Sequence, residues 1–199
     1  MEFNLSIIVL LIAILVYFVL YYFIWNNDRF VQNQHIKHLS FLLYIALAFF
    51  IGVYIFENKT IPIDSTTVTM VLSLFMLMVG VNIIIVTFFS SWVIDIKTSR
   101  QRVVTLLLDL SIIFFFFSFV HYFLYWNSPD SFNFNQKGEG WFDIAISFIY
   151  YSFSTSITFS ASGIEPVSSL AKILSMLQIG FFYLVLGQSL FGELQNKKE

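Results

Sequence analysis

Residues 141–168 read WFDIAISFIYYSFSTSITFSASGIEPVS, and the run from Ile144 to Ile164 inside them decides the fold. It carries no charge over 21 residues, yet eight of its side chains are serine or threonine hydroxyls: Ser147, Ser152, Ser154, Thr155, Ser156, Thr158, Ser160 and Ser162. Only Glu165 and Pro166 separate it from the next apolar run, Val167 to Gly192. Two residues cannot turn a chain around after one full membrane crossing and launch another. The segment is therefore expected to dip into a membrane and return to the same side. The pattern predicts a short helix from Phe142 to Ile157, an extended stretch from Thr158 to Gly163, and Pro166 near the start of a final helix. Non-helical backbone at membrane depth is tolerated only inside protein or against water, because free amides and carbonyls cannot face lipid. Such a segment is expected to line a pore, with the carbonyl end of its helix favouring a cation and the stretch after it offering oxygens as ligands.

The rest of the chain fits this reading. Of its 199 residues, 58% are apolar and 11% charged, a balance foreign to water-soluble domains. A bilayer core needs about 20 apolar residues per helix. Leu5 to Trp25, Leu39 to Phe56, Ser65 to Ile94 and Val103 to Trp126 supply four further runs, the last interrupted by Asp109 and His121. The first is too long for a signal-peptide core and follows no basic region, so it is expected to stay in the protein. Five spans plus the dip put the termini on opposite faces. With the C-terminus cytoplasmic, Arg29, Lys37, Lys97, Arg100, Arg102, Lys197 and Lys198 lie inside, and only Lys59 and Lys137 lie outside, with Lys172 in the last span. This bias predicts a multi-pass plasma-membrane protein with its N-terminus outside. The net charge of −2 excludes nucleic-acid binding by a basic surface, and the absence of cysteine excludes thiol chemistry and Cys-bound metal. His35, His38 and His121 are scattered, so no cofactor or resident metal is expected. No convergent nucleophile and base mark an intramembrane enzyme. The connections are short, so function is expected to reside in the membrane.

The run Tyr150-Tyr151-Ser152-Phe153-Ser154-Thr155-Ser156-Ile157-Thr158-Phe159-Ser160-Ala161-Ser162-Gly163-Ile164-Glu165-Pro166 resembles the pore loop of the two-helix potassium channel module. In that family an aromatic-rich helix leads into T-T-x-T-T-V-G-Y-G-D, a hydrophobic residue, any residue and Pro. The likeness covers Val103 to Gly192, and Ser168 to Leu174 is similar to the start of the family's inner helix. The resemblance implies a selectivity filter of Thr158, Phe159, Ser160, Ala161, Ser162 and Gly163, four copies around one axis, and permeating potassium or sodium ions. Thr158 stands at the filter threonine, Phe159 at the valine, Ser160 and Ser162 at the two glycines, Ala161 at the tyrosine and Gly163 at the aspartate. The glycine replacements carry Cβ atoms where left-handed backbone costs about 1–2 kcal/mol per residue, so potassium selectivity does not carry over. The family's hinge glycine falls on Phe182. Gly180 and Gly187 lie off register and are the remaining candidates for flexibility during gating.

The charge pattern points to cations without any family. Glu2, Glu57, Asp64, Asp130, Glu139, Asp143 and Glu165 fall on the expected outer side against two lysines, and Glu165 repeated in four copies would ring the mouth. Asp109 reads either as a permeation or proton-linked site or as a carboxylate paired with a basic residue such as Arg102. His121 reads as an interfacial residue in an aromatic belt with Tyr122, Tyr125 and Trp126, separate from Asp109. Gly80 and Asn82 read as a close-packing point and an interhelical hydrogen bond. No arginine series marks a voltage sensor. The expected architecture is an all-α membrane protein with five transmembrane helices and a re-entrant pore helix and loop. Residues 1–98 form a three-helix peripheral region and 99–199 a pore module. The expected function is a tetrameric cation channel in a lipid bilayer, its regulatory ligand unidentified. The alternative is a non-conducting structural or regulatory subunit.

Overall fold

Long apolar stretches free of internal proline form the described helices, and their burial shows how they meet. The computed structural model describes residues 34–57, 80, 99–134, 140–158 and 163–196. The Leu5 to Trp25 run, the Ser65 to Ile94 run apart from Gly80, and filter candidates Phe159, Ser160, Ala161 and Ser162 lie outside them. The described chain is mostly helical: α1 (Gln34–Glu57), α2 (Ser99–Asn127), α3 (Trp141–Ser156) and α4 (Ser169–Asn196). Two stretches, Val103–Asn127 and Ser169–Gly187, are long and apolar enough to cross a membrane, and α1 contributes a shorter apolar stretch, His38–Tyr54. Two three-residue strands, β1 (Phe132–Phe134) and β2 (Ile164–Pro166), pair antiparallel with Phe132 opposite Pro166 and Phe134 opposite Ile164.

α1 buries His38, Ile45, Phe49, Val53 and Phe56 on one side, while Leu39, Leu43, Leu47 and Ile51 stand exposed on the other. Its outward face is as apolar as its inward one. Water penalises such a distribution and hydrocarbon does not. The inward face packs along α2 in ascending order. His38 meets Asp109, Ile45 clusters with Ile112, Phe49 meets Phe119 and Tyr122, and Phe56 lies 4.4 Å from Trp126, ring centre to ring centre. The two helices run in the same direction. At Gly52 an added Cβ would come within 3.0 Å of the Phe119 ring, so glycine permits this approach. Gly80 plays the expected close-packing part, a Cβ there lying 3.2 Å from Phe116.

α4 descends α2 in the opposite sense, with Gln178 beside His121, Phe181 beside Phe117 and Phe182 beside Phe114. Its N-terminus is capped by the Ser168 hydroxyl, which accepts from the Ala171 amide at 3.1 Å. α3 also descends α2: Phe148 packs on Tyr122 and Tyr125, and Phe153 on Phe114. With 16 residues α3 is about 24 Å long, and its end lies level with the middle of α2. Tyr151 bonds Ser175 and Ser156 bonds Gln178, so α3 and α4 run side by side in the same sense.

Parallel neighbours joined by a short connection force the chain to double back. Ser156 is level with Gln178, about 13 Å down α4 from Ser169 at 1.5 Å per residue. Ile164, eight residues later, is again beside Phe134 at the top.

Candidate functional site

α3 spans Trp141–Ser156, one residue earlier at each end than the sequence predicts. Its termination corrects the expectation that Thr158 begins an extended stretch. The Ile157 amide bonds back to the Phe153 carbonyl at 3.2 Å and the Thr158 amide to Thr155 at 3.0 Å, and Thr158 adopts a left-handed φ of 58°. A helix end of this kind usually takes glycine. A β-branched residue there stores about 1–2 kcal/mol of strain. The Thr158 hydroxyl donates to the Ile157 carbonyl at 2.7 Å. Gly163, at the far end of the candidate filter, is left-handed too, with φ 67°, and turns the chain into β2. Both described ends of the stretch expected to be extended are thus left-handed turns. Thr158, Gly163 and Glu165 are all exposed.

The hydroxyl-rich signature divides into two groups. On α3, Ser147 bonds the Asp143 carbonyl, Ser154 the Tyr151 carbonyl and Ser156 the Ser152 carbonyl, while Ser152 reaches across to the Phe114 carbonyl at 2.9 Å. Ser152, Ser154 and Ser156 are buried, and their small side chains let α3 lie close to its neighbours. Thr158 alone among the described hydroxyls belongs to the candidate filter.

Two buried sites hold His38 and His121. Asp109 accepts a 2.7 Å hydrogen bond from His38 Nδ1, with side-chain exposures of 8% and 5%. Its partner comes from α1, 71 residues away, where sequence reasoning offered Arg102. The second site corrects the interfacial reading of His121. That residue is fully buried, and Tyr122 and Tyr125 belong to the aromatic core with Phe132 and Phe148 instead of an interfacial belt. His121 Nε2 lies 2.9 Å from Gln178 Oε1, and the two hydrogens of the Gln178 NH2 are shared among the Ser152 carbonyl, Ser152 Oγ and Ser156 Oγ, the last two at 2.7 Å. A carbonyl cannot donate, so Ser152 O turns the Gln178 NH2 toward α3 and Oε1 toward His121. Asp109 and His121 take different partners, in keeping with two separate sites.

Sequence reasoning passed over Gln178. The available signal was an amide in the middle of the apolar run from Ile173 to Gly187, where an unpartnered polar group is costly. Of the gating candidates, Gly180 and Gly187 sit within continuous α4, and a Cβ at either would meet nothing within 4 Å. Phe182 is buried against Phe114.

No protein-family model, curated protein or solved structure matches this chain.

Proposed function

We propose that the protein is a multi-pass membrane protein forming a tetrameric cation channel, with α2, α3 and α4 as outer helix, pore helix and inner helix of a potassium-channel-like module. The observation that carries this reading is the parallel descent of α3 and α4. A helix of about 24 Å that stops level with the middle of α2, followed by a return to the same end, brings polar backbone to mid-bilayer depth. That backbone needs protein or water around it, and one copy leaves Thr158 and Gly163 exposed. Further copies around an axis would supply the enclosure.

Two more features support the reading. Neighbours α1 and α2 run the same way, so the chain between them has to return to the starting side, and Ser65 to Ile94 is long and apolar enough to do so as a span. This course is consistent with five spans, and the distribution of basic residues favours the N-terminus outside. At the end where α3 begins, the described charges are Glu57, Asp130, Asp143 and Glu165 against Lys172, an excess that concentrates cations. Potassium, sodium or both would meet oxygens of residues 158–163.

Full-length protein in planar bilayers, with sodium on one side and potassium on the other, tests the proposal. A reversal potential that follows a cation gradient supports it. Silence across voltages and salts would favour the non-conducting subunit, a reading to which the left-handed Thr158 lends weight. Glu165→Gln is expected to reduce inward cation current at low ionic strength and to leave it nearly unchanged at high salt, because screening shortens the reach of an exposed carboxylate. Equal currents from both proteins at both salt levels would remove Glu165 from this role.

A further inference from the structure

The buried polar ring behind α3 begins and ends on the same helix. His121 of α2 bonds Gln178 of α4, Gln178 bonds Ser152 and Ser156 of α3, and Ser152 returns to the Phe114 carbonyl of α2, seven residues from His121. All three elements of the proposed pore module meet in this closed circuit.

Its chemistry leaves little freedom. With Gln178 Oε1 turned toward the imidazole, His121 carries its proton on Nε2. Nδ1 is then a bare acceptor, fully buried and without a hydrogen-bond partner among the described residues. The rings of Tyr151, Phe132 and Phe117 stand around it, with centres 5.0, 5.8 and 6.1 Å from the imidazole. A phenyl ring would suit such an aromatic box without stranding a nitrogen. What histidine adds is the donor that holds Gln178 in one orientation. Gln178 in turn contacts two serines one helical turn apart, Ser156 at the very end of α3 and two residues ahead of the left-handed Thr158.

We propose that His121 and Gln178 are positioning residues for the pore loop. Their circuit fixes the height of the last turn of α3 against α4 and thereby the place from which the following oxygens meet permeating ions. This rests on the channel reading above. A lateral shift of α4 would pull on Ser152 and Ser156 through one amide, so the same pair would transmit inner-helix movement to the loop.

The test uses full-length wild type, His121→Phe, His121→Gln, Gln178→Leu and Ser156→Ala, purified as assembled oligomers and recorded in planar bilayers under sodium–potassium gradients. His121→Phe fills the aromatic box but deletes the donor, whereas His121→Gln keeps an N–H at a similar reach. The sodium-to-potassium permeability ratio is expected to change several-fold in His121→Phe and Gln178→Leu, to change in the same direction but less in Ser156→Ala, and to match wild type in His121→Gln. A purely structural role would lower the yield of assembled oligomer and leave the ratio of the surviving channels alone. If the bulkier variants fail to assemble, Ser156→Ala against wild type decides, since it removes one hydroxyl from the circuit. Conducting wild type with an unaltered ratio in the assembled variants overturns the positioning role alone. A silent wild type overturns the channel reading, and the positioning role with it.

Discussion

His38→Leu is expected to lower the stability of the protein by about 3–5 kcal/mol, because it strands the Asp109 carboxyl in a buried site with no basic partner across the helix boundary. Asp109→Leu removes the other half and is expected to cost less, about 1–3 kcal/mol, since an imidazole is easier to leave unpaired than a carboxylate. The double variant, His38→Leu with Asp109→Leu, is expected to recover most of the loss, because two apolar side chains of similar size then meet in an apolar setting. Thermal or denaturant unfolding in detergent, read as a double-mutant cycle, checks all three. Additive losses would mean that the 2.7 Å contact contributes no coupling between α1 and α2.

Phe148→Ala is the second large effect. Phe148 is fully buried, and its ring lies 5.6 Å from Tyr122, 5.5 Å from Tyr125, 5.8 Å from Phe132 and 5.5 Å from Phe134. One side chain thus joins α2, β1 and α3. Lipid tails are as apolar as the ring, so the usual transfer term contributes little in a membrane. The cost comes from the cavity and the lost ring contacts, about 2–4 kcal/mol. Phe148→Leu fills part of the space and is expected to lose roughly half as much on the same grounds. Unfolding midpoints of the two variants against wild type check the order. A midpoint for Phe148→Ala equal to wild type would show that the top of α3 is held by other contacts, the β1–β2 pairing first among them.

These two sites differ in how far they could be read in advance. The described helices were legible because long, dominantly apolar runs admit few other structures. The doubling back was legible because Glu165 and Pro166 leave no room for a turn between two full spans. The choice of faces was not. α1 is apolar all round, so neither side of it announces itself as the inner one. Only the tertiary arrangement brings His38 to Asp109 across 71 residues. His121 was misread for the same reason. Tyr122, Tyr125 and Trp126 suit an interfacial belt and an aromatic core equally well, and Gln178, which decides between them, lies on another helix. The hydroxyl count overstated the loop, because Ser152, Ser154 and Ser156 are consumed in holding α3. The left-handed Thr158 ran against residue preference, and a threonine in that position gives no local warning.

The parallel course of α1 and α2 has a consequence for biogenesis. At about 5–20 residues synthesised per second, His38 is made on the order of 4–14 s before Asp109 exists. During that interval α1 holds an imidazole for which its eventual partner has not been made.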